Sequence, residues 1–253
     1  ARLPSGHGRC AQTSAGSGRR SAARRMALRA RGFTASSAAP AFLGARTRRS
    51  RQRLAVARER AATYAIAPRF ELGDASTYPF EAESFDLLFS RFGVMFFADP
   101  TAAFAHLRRA AKPGGRLAFV CWRSFPENEW MSAPLNVAME HFGEMEQTDP
   151  NAPGPFAFAD PHRTSGMLKN AGFKNVAIEP FDTHVQIGNP DHEPLTSAVE
   201  FVMRVGPLSR QLKEADDALR AKVAETVRKD FSVRMTERGV EFGAACWFVS
   251  ATA

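Results

Sequence analysis

A chain of 253 residues, 44% hydrophobic and 24% charged, is long enough for one large domain with a substantial core and has the composition of an ordinary globular protein. No run of about eighteen apolar residues occurs, so no membrane span is expected. The formal charge of +8 is unevenly placed: residues 1–60 carry fifteen arginines against one acid, Glu59, while the remainder carries 19 basic and 25 acidic side chains.

Residues 1–53 form an arginine-rich leader with no strand-like run and no acid. Its glycine pairs, Gly6-His7-Gly8 and Gly16-Ser17-Gly18, sit in polar text. Three origins fit that composition. It can be a targeting peptide, rich in Arg and Ser and poor in acids. It can be a basic arm that grips nucleic acid through phosphates. It can also be a frame-shifted reading of a GC-rich gene, whose codons in the wrong phase return mostly Arg, Ala, Gly, Ser and Pro. The expected organisation is therefore a disordered or frame-shifted leader over 1–53 and a folded domain over 54–253. The first periodic stretch begins there: Leu54, Ala57, Ala61 and Tyr64 share one face of a helix.

Strand-like and helix-like segments then alternate. "PRFELGD" (68–74) is short and extended, and "SFDLLFS" (84–90) reads as a strand buried on both faces. Residues 99–115 form a helix capped by Asp99, opened by Pro100 and stopped by Lys112-Pro113-Gly114-Gly115. "RLAFVCW" (116–122) is another buried strand. Residues 160–173 repeat the capping scheme with Asp160, Pro161 and Gly172. Strands follow at 175–181 and 244–251, with helices between them at about 193–205 and 208–230. The alternation predicts an α/β fold, Rossmann-like, with a mainly parallel sheet flanked by helices and an antiparallel edge strand near the C-terminus. The segment 123–160, rich in Pro, Asn, Trp and Phe, is too long for a simple connection and predicts a lid or binding wall. Trp122, Arg123 and Trp130 border it.

Three distant cysteines, Cys10, Cys121 and Cys246, argue against a disulfide framework and fit a reducing compartment such as the cytoplasm. The six histidines show no metal-ligand spacing, so no metal site is expected. His141, His162 and His184 are candidates for a general base by residue type alone, and no catalytic residue is assigned.

The polar clusters Gly73-Asp74-Ala75 and Ser90-Arg91-Phe92 each follow a strand, where open α/β sheets bind ligands. Together "GDA", "FDLLFSRFGVMFF" and "AKPGG" (70–123) resemble the class I S-adenosylmethionine-dependent methyltransferases, near the ubiquinone/menaquinone-biosynthesis branch. The resemblance runs from about Ser50 to Ala253. It implies S-adenosylmethionine as cofactor and a small-molecule methyl acceptor as partner. By the same resemblance Asp74, with Ala75 beside it, takes the adenine amino group, and Ser90, Arg91 and Phe92 lie along the methionine part. Each residue also has a plainer reading: Asp74 as a turn residue, Arg91 as a surface ion pair, Asp86 as a structural residue at the strand start, and Phe92, Phe96 and Phe97 as core.

The sequence departs from the family at its first motif. No hydrophobic strand runs into a Gly-x-Gly-x-Gly loop, and Arg48-Arg49 stands where an acid should hold the ribose hydroxyls, which a guanidinium cannot accept from. The first strand–helix unit is thus expected to be missing or non-native, and transfer activity impaired. Two other readings use the same chain: a non-catalytic binding protein with a nucleic-acid arm, and a nicotinamide-dependent dehydrogenase, which would need the same missing glycine fingerprint.

Overall fold

The computed structural model describes residues 33–35, 41–43, 55–59, 70–143, 149–189 and 192–253, all within the compact unit Arg31–Ala253. Within the leader these residues are two short strands, β1 (Phe33–Ala35) and β2 (Ala41–Leu43), where the sequence suggested none. The rest of the leader lies outside the described residues. So does most of the helix expected from Leu54 to Tyr64, of which 55–59 is helical.

The other strands are β3 (Phe70–Leu72), β4 (Phe85–Arg91), β5 (Ala111–Trp122), β6 (Lys174–Ile187), β7 (Met235–Thr236) and β8 (Gly239–Thr252). Their order across the sheet is β3-β2-β1-β4-β5-β8-β6, with β7 also paired to β8. β2 and β3 pair parallel, as do β4 and β5. β1 is antiparallel to both β2 and β4, and β8 is antiparallel to β5, β6 and β7. Most strands therefore point one way, but because β1 and β8 are reversed, five of the seven pairings among the described residues are antiparallel, and the sheet is mixed where a mainly parallel one was expected. The C-terminal strand is antiparallel as expected, but it lies one place in from the edge and β6 is outermost. Pro180 explains why β6 can take that position: it has no N–H to donate, a defect an edge strand tolerates.

α1 (Pro100–Ala110) and α3 (Pro161–Asn170) cover one face of the sheet. Local chemistry sets their starts. Asp99 Oδ1 accepts from Ala102 N at 2.9 Å, and Asp160 Oδ1 accepts from His162 N at 2.8 Å, each followed by proline at the first helical position. Phe104 of α1 packs on Phe119 of β5 with ring centroids 5.6 Å apart, in a core that includes Leu88, Leu107, Leu117, Phe158 and Leu168.

A second core lies beyond the carboxyl end of β5. At Trp122, β5 stops opposite Cys246, but β6 and β8 continue as a two-stranded ribbon through the pairs Thr183–Ala244, Val185–Phe242 and Ile187–Val240. α2 (Glu129–Ala138), α4 (Pro194–Arg204), α5 (Pro207–Gln211) and α6 (Asp217–Ser232) pack on this ribbon. Phe231 of α6 meets Phe242 at 5.1 Å in its centre. The single helix expected at 208–230 is two helices, because Asp216 accepts from Leu219 N and starts α6 afresh. Among the described residues no helix is long and apolar enough to cross a membrane.

Candidate functional site

β3 and β4 run in the same direction, so Asp74-Ala75 and Ser90-Arg91-Phe92 both emerge at the carboxyl edge of the sheet. Two strands, β2 and β1, separate them. Three strand spacings of ~4.8 Å place the clusters about 14 Å apart. That gap suits the two ends of an elongated ligand better than one compact group.

Asp74 is exposed and organises the turn after β3. Its Oδ1 accepts from the Ser76 backbone N at 2.9 Å and from Ser76 Oγ at 2.7 Å, and its carbonyl accepts from Tyr78 N at 2.8 Å. The turn reading of Asp74 is therefore real, yet it uses one carboxylate oxygen only. Oδ2 keeps its lone pairs. Ala75 is buried in the main core.

At the end of β4 the three residues diverge. Ser90 pairs in register with Phe119, so its side chain faces the α1 layer, while Arg91 pairs with Val120 on the other face. Ser90 is 0% exposed and its Oγ has no hydrogen-bond partner among the described residues. A Cβ on Gly93 would stand 3.1 Å from that oxygen, so Gly93 lets the following turn press onto it. Phe92 has φ +55°, a left-handed conformation that is uncommon for a bulky residue. What holds it there is visible: its N–H donates to Val120 O at 3.0 Å, and its ring stacks on Trp122 at 4.0 Å and 13°. Trp122 in turn meets Trp130 of α2 at 5.1 Å. This aromatic corner joins the main core to the ribbon core.

The segment 123–160 is hydrogen-bonded to the rest of the chain at both ends. Arg123 N donates to Ala245 O, Gly154 N to Met95 O, and Trp247 Nε1 to Ala159 O at 2.8 Å. The Arg123 guanidinium lies 4.9 Å over the Trp247 ring and is paired with Asp182 at 2.9 Å and with Glu127. Hydrogen bonds from Ser124, assisted by Arg123, hold the Glu127 carboxyl below its ordinary pKa. That network employs the two terminal nitrogens of Arg123, while its Nε is buried without a partner among the described residues. Residues 144–148 of the segment lie outside the description.

The remaining candidates separate cleanly. Asp86 forms an ion pair with Lys112 at 2.9 Å, the structural role read for it. Phe92 and Phe97 pack against the main core, whereas Phe96 is 56% exposed. His141 bonds Thr226 Oγ1 at 2.8 Å and ties the 3-10 turn after α2 to α6. His184 is exposed on β6, and His162 is in the first turn of α3. The glycine pairs and Arg48-Arg49 lie outside the described residues.

Residues 15–119 match a family model described as a methyltransferase domain. A demethylmenaquinone methyltransferase from Deinococcus radiodurans is 30% identical over 132 residues, covering 49% of this chain and 54% of that protein. Over this part the chain is similar to S-adenosylmethionine-dependent methyltransferases of the class I type. A ubiquinone/menaquinone biosynthesis C-methyltransferase, UbiE, from Caulobacter sp. (strain K31) is 33% identical over 120 residues, 44% of this chain and 47% of that protein. The chain thus spans about half the length of the curated relatives it matches. Among solved structures, the YcgJ protein of Bacillus subtilis is 17% identical with a TM-score of 0.47, over 79% of this chain and 78% of that one. The family match begins at residue 15, well before Ser50, where the resemblance becomes readable by eye.

Proposed function

We propose that this chain transfers a methyl group from S-adenosylmethionine to a planar small-molecule acceptor at the carboxyl edge of its sheet. The observation that carries this reading is the buried, unpartnered Ser90 hydroxyl at the end of β4, beneath the Gly93 turn. It lies in the part of the chain matched by the methyltransferase domain. Buried hydroxyls are rarely left without a partner, and those that are tend to mark ligand sites.

The cofactor's chemistry fits the two clusters. Asp74 Oδ2 can accept from the exocyclic amino group of an adenine while Oδ1 keeps the turn. Ser90 can hydrogen-bond, and Arg91 and Phe92 flank, the other end. The bound cofactor supplies an electrophilic methyl group, so the protein has to align the acceptor and exclude water. The Phe92–Trp122–Trp130 corner and the segment anchored through Arg123 and Trp247 perform both tasks. The relatives' names, one for a demethylmenaquinone enzyme and one for ubiquinone/menaquinone biosynthesis, support a flat quinol-like acceptor. The buried free thiols Cys121 and Cys246 support a reducing compartment such as the cytoplasm.

Residues 1–53 supply neither a Gly-x-Gly-x-Gly string nor an acid. In our reading the chain therefore holds the cofactor by its adenine-side and β4 contacts alone, and weakly. The match that starts at residue 15 weighs against a separate nucleic-acid arm. Calorimetric titration with S-adenosylhomocysteine tests both points. A Kd on the order of 1 mM is expected. Low-micromolar binding overturns the impaired leader, and no binding at several times that concentration overturns methyl transfer. An alternative frame upstream of codon 50 that encodes a strand, a glycine loop and an acid would independently establish the frame shift.

A further inference from the structure

Trp130 is in the first turn of α2, and its indole Nε1 is buried with no hydrogen-bond partner among the described residues. Buried tryptophans normally place that N–H against an acceptor. Trp247 does so here, donating to Ala159 O at 2.8 Å, so the chain can satisfy an indole where structure alone requires it. Trp130 differs in its surroundings. Its ring meets Trp122, the last residue of β5, at 5.1 Å and 55°, and Trp122 stacks on Phe92 just past the end of β4. Phe92 and Trp122 are half-buried, so both retain surface at the sheet edge where ligands of α/β folds bind. An orphan donor beside a flat aromatic corner fits a flat guest that carries an acceptor atom.

We propose that Trp130 Nε1–H donates a hydrogen bond to a ring oxygen of the methyl acceptor and holds it against the Phe92–Trp122 corner. The inference rests on the methyl-transfer reading and adds to it the group that recognises the acceptor. The N–H selects oxygenated aromatic rings over hydrocarbons of the same shape, because a guest without an acceptor leaves the donor unsatisfied. Trp122 and Phe92 supply the ring contact, which distinguishes planar from bulky guests but not one substituent from another. No proton is transferred. The bond fixes the rotation of the ring in its plane, and hence which ring atom faces the methyl group.

The chain holds three tryptophans, Trp122, Trp130 and Trp247, so 15N-tryptophan labelling of the full chain yields three indole signals. Trp130→Phe removes one and assigns it. Two probes of nearly equal shape are titrated, 1-naphthol and 1-methylnaphthalene. The Trp130 signal is expected to move downfield with 1-naphthol and not with 1-methylnaphthalene. Trp130→Phe should bind 1-naphthol about fivefold more weakly and 1-methylnaphthalene as the parent does. A Trp130 signal that stays in place up to the solubility of 1-naphthol overturns the proposal. So does a Trp130→Phe chain that retains the preference for the hydroxyl. The signal shift is read on the parent chain, so it decides the matter even where the variant folds poorly. Failure of S-adenosylhomocysteine binding with an intact Trp130 response would remove methyl transfer and leave the donor assignment standing. The reverse result would remove the donor assignment alone.

Discussion

Ala245 of β8 donates its backbone N–H to Asn128 Oδ1 at 3.0 Å, although the two residues are 117 positions apart. The Asn128 side chain is fully buried, and its Nδ2 donates to Ser124 O at 3.0 Å and Arg123 O at 3.4 Å. One amide therefore fastens the start of the wall to the first residues of β8 beyond the sheet. Two residues after Asn128, the same segment carries Trp130, whose ring lies 5.1 Å from that of Trp122.

Asn128→Ala removes that fastening and leaves the Ala245 N–H buried without an acceptor. A loss of about 2–3 kcal/mol in urea-unfolding stability is expected. Asn128→Asp should not restore it, because a buried carboxylate would face the carbonyls of Arg123 and Ser124. Unchanged midpoints for both variants would mean that the wall is held elsewhere.

Phe92 carries a stack and a left-handed backbone at once, and the two are separable. Phe92→Ala loses the Trp122 contact and keeps the unfavourable φ of +55°. Phe92→Gly loses the same contact without that cost. The glycine variant should therefore be the more stable of the two by about 1 kcal/mol, a reversal of the usual order in a regular element. The usual order in thermal unfolding would refute the strain assigned here.

Asp74→Asn retains an oxygen for the Ser76 donors but presents an N–H₂ where Oδ2 stood. Stability should change by less than about 0.5 kcal/mol, while S-adenosylhomocysteine binding weakens by about tenfold or more through the lost charge-assisted acceptor. Equal loss of stability and binding would reduce Asp74 to its turn.

Burial pushes the Cys121 thiol well up, and burial with the nearby Asp182 carboxylate pushes Cys246 up to about 12 from 9.0. Between those values the folded chain retains protons that the unfolded chain has released. The thiols' contribution to stability should accordingly be constant below pH 9 and fall as pH rises above it, by up to roughly 1.4 kcal/mol per pH unit for each thiol. In a Cys10→Ser background, Ellman's reagent should label neither thiol at pH 8 until denaturant is added. Prompt labelling would place a thiol at the surface.

Local signals were legible because their causes are local. Asp99-Pro100 and Asp160-Pro161 each contain both the acceptor and the ring that start a helix, and Gly172 permits the φ of +91° that ends one. The polar clusters after β3 and β4 were legible for a similar reason, since strand ends are marked by a change from apolar to polar text. The continuation of β6 to Ile187 was not, because alternate residues of an edge ribbon are exposed and read as loop. Trp130 was singled out only as a residue bordering the lid. Its unpartnered N–H is a property of the atoms around it, and no spacing encodes it.

By itself the sequence determined the α/β class, most helix starts, the two polar clusters and the family resemblance, all of which depend on neighbours within a few positions. Tertiary structure alone decided that β1 runs against β4, that β8 inserts between β5 and β6, and that their ribbon carries a second core over the sheet edge. It also decided that Phe92, Trp122 and Trp130 meet. Such pairings link residues tens of positions apart, and the free energy of burying their shared surface exists only once the chain has closed on itself.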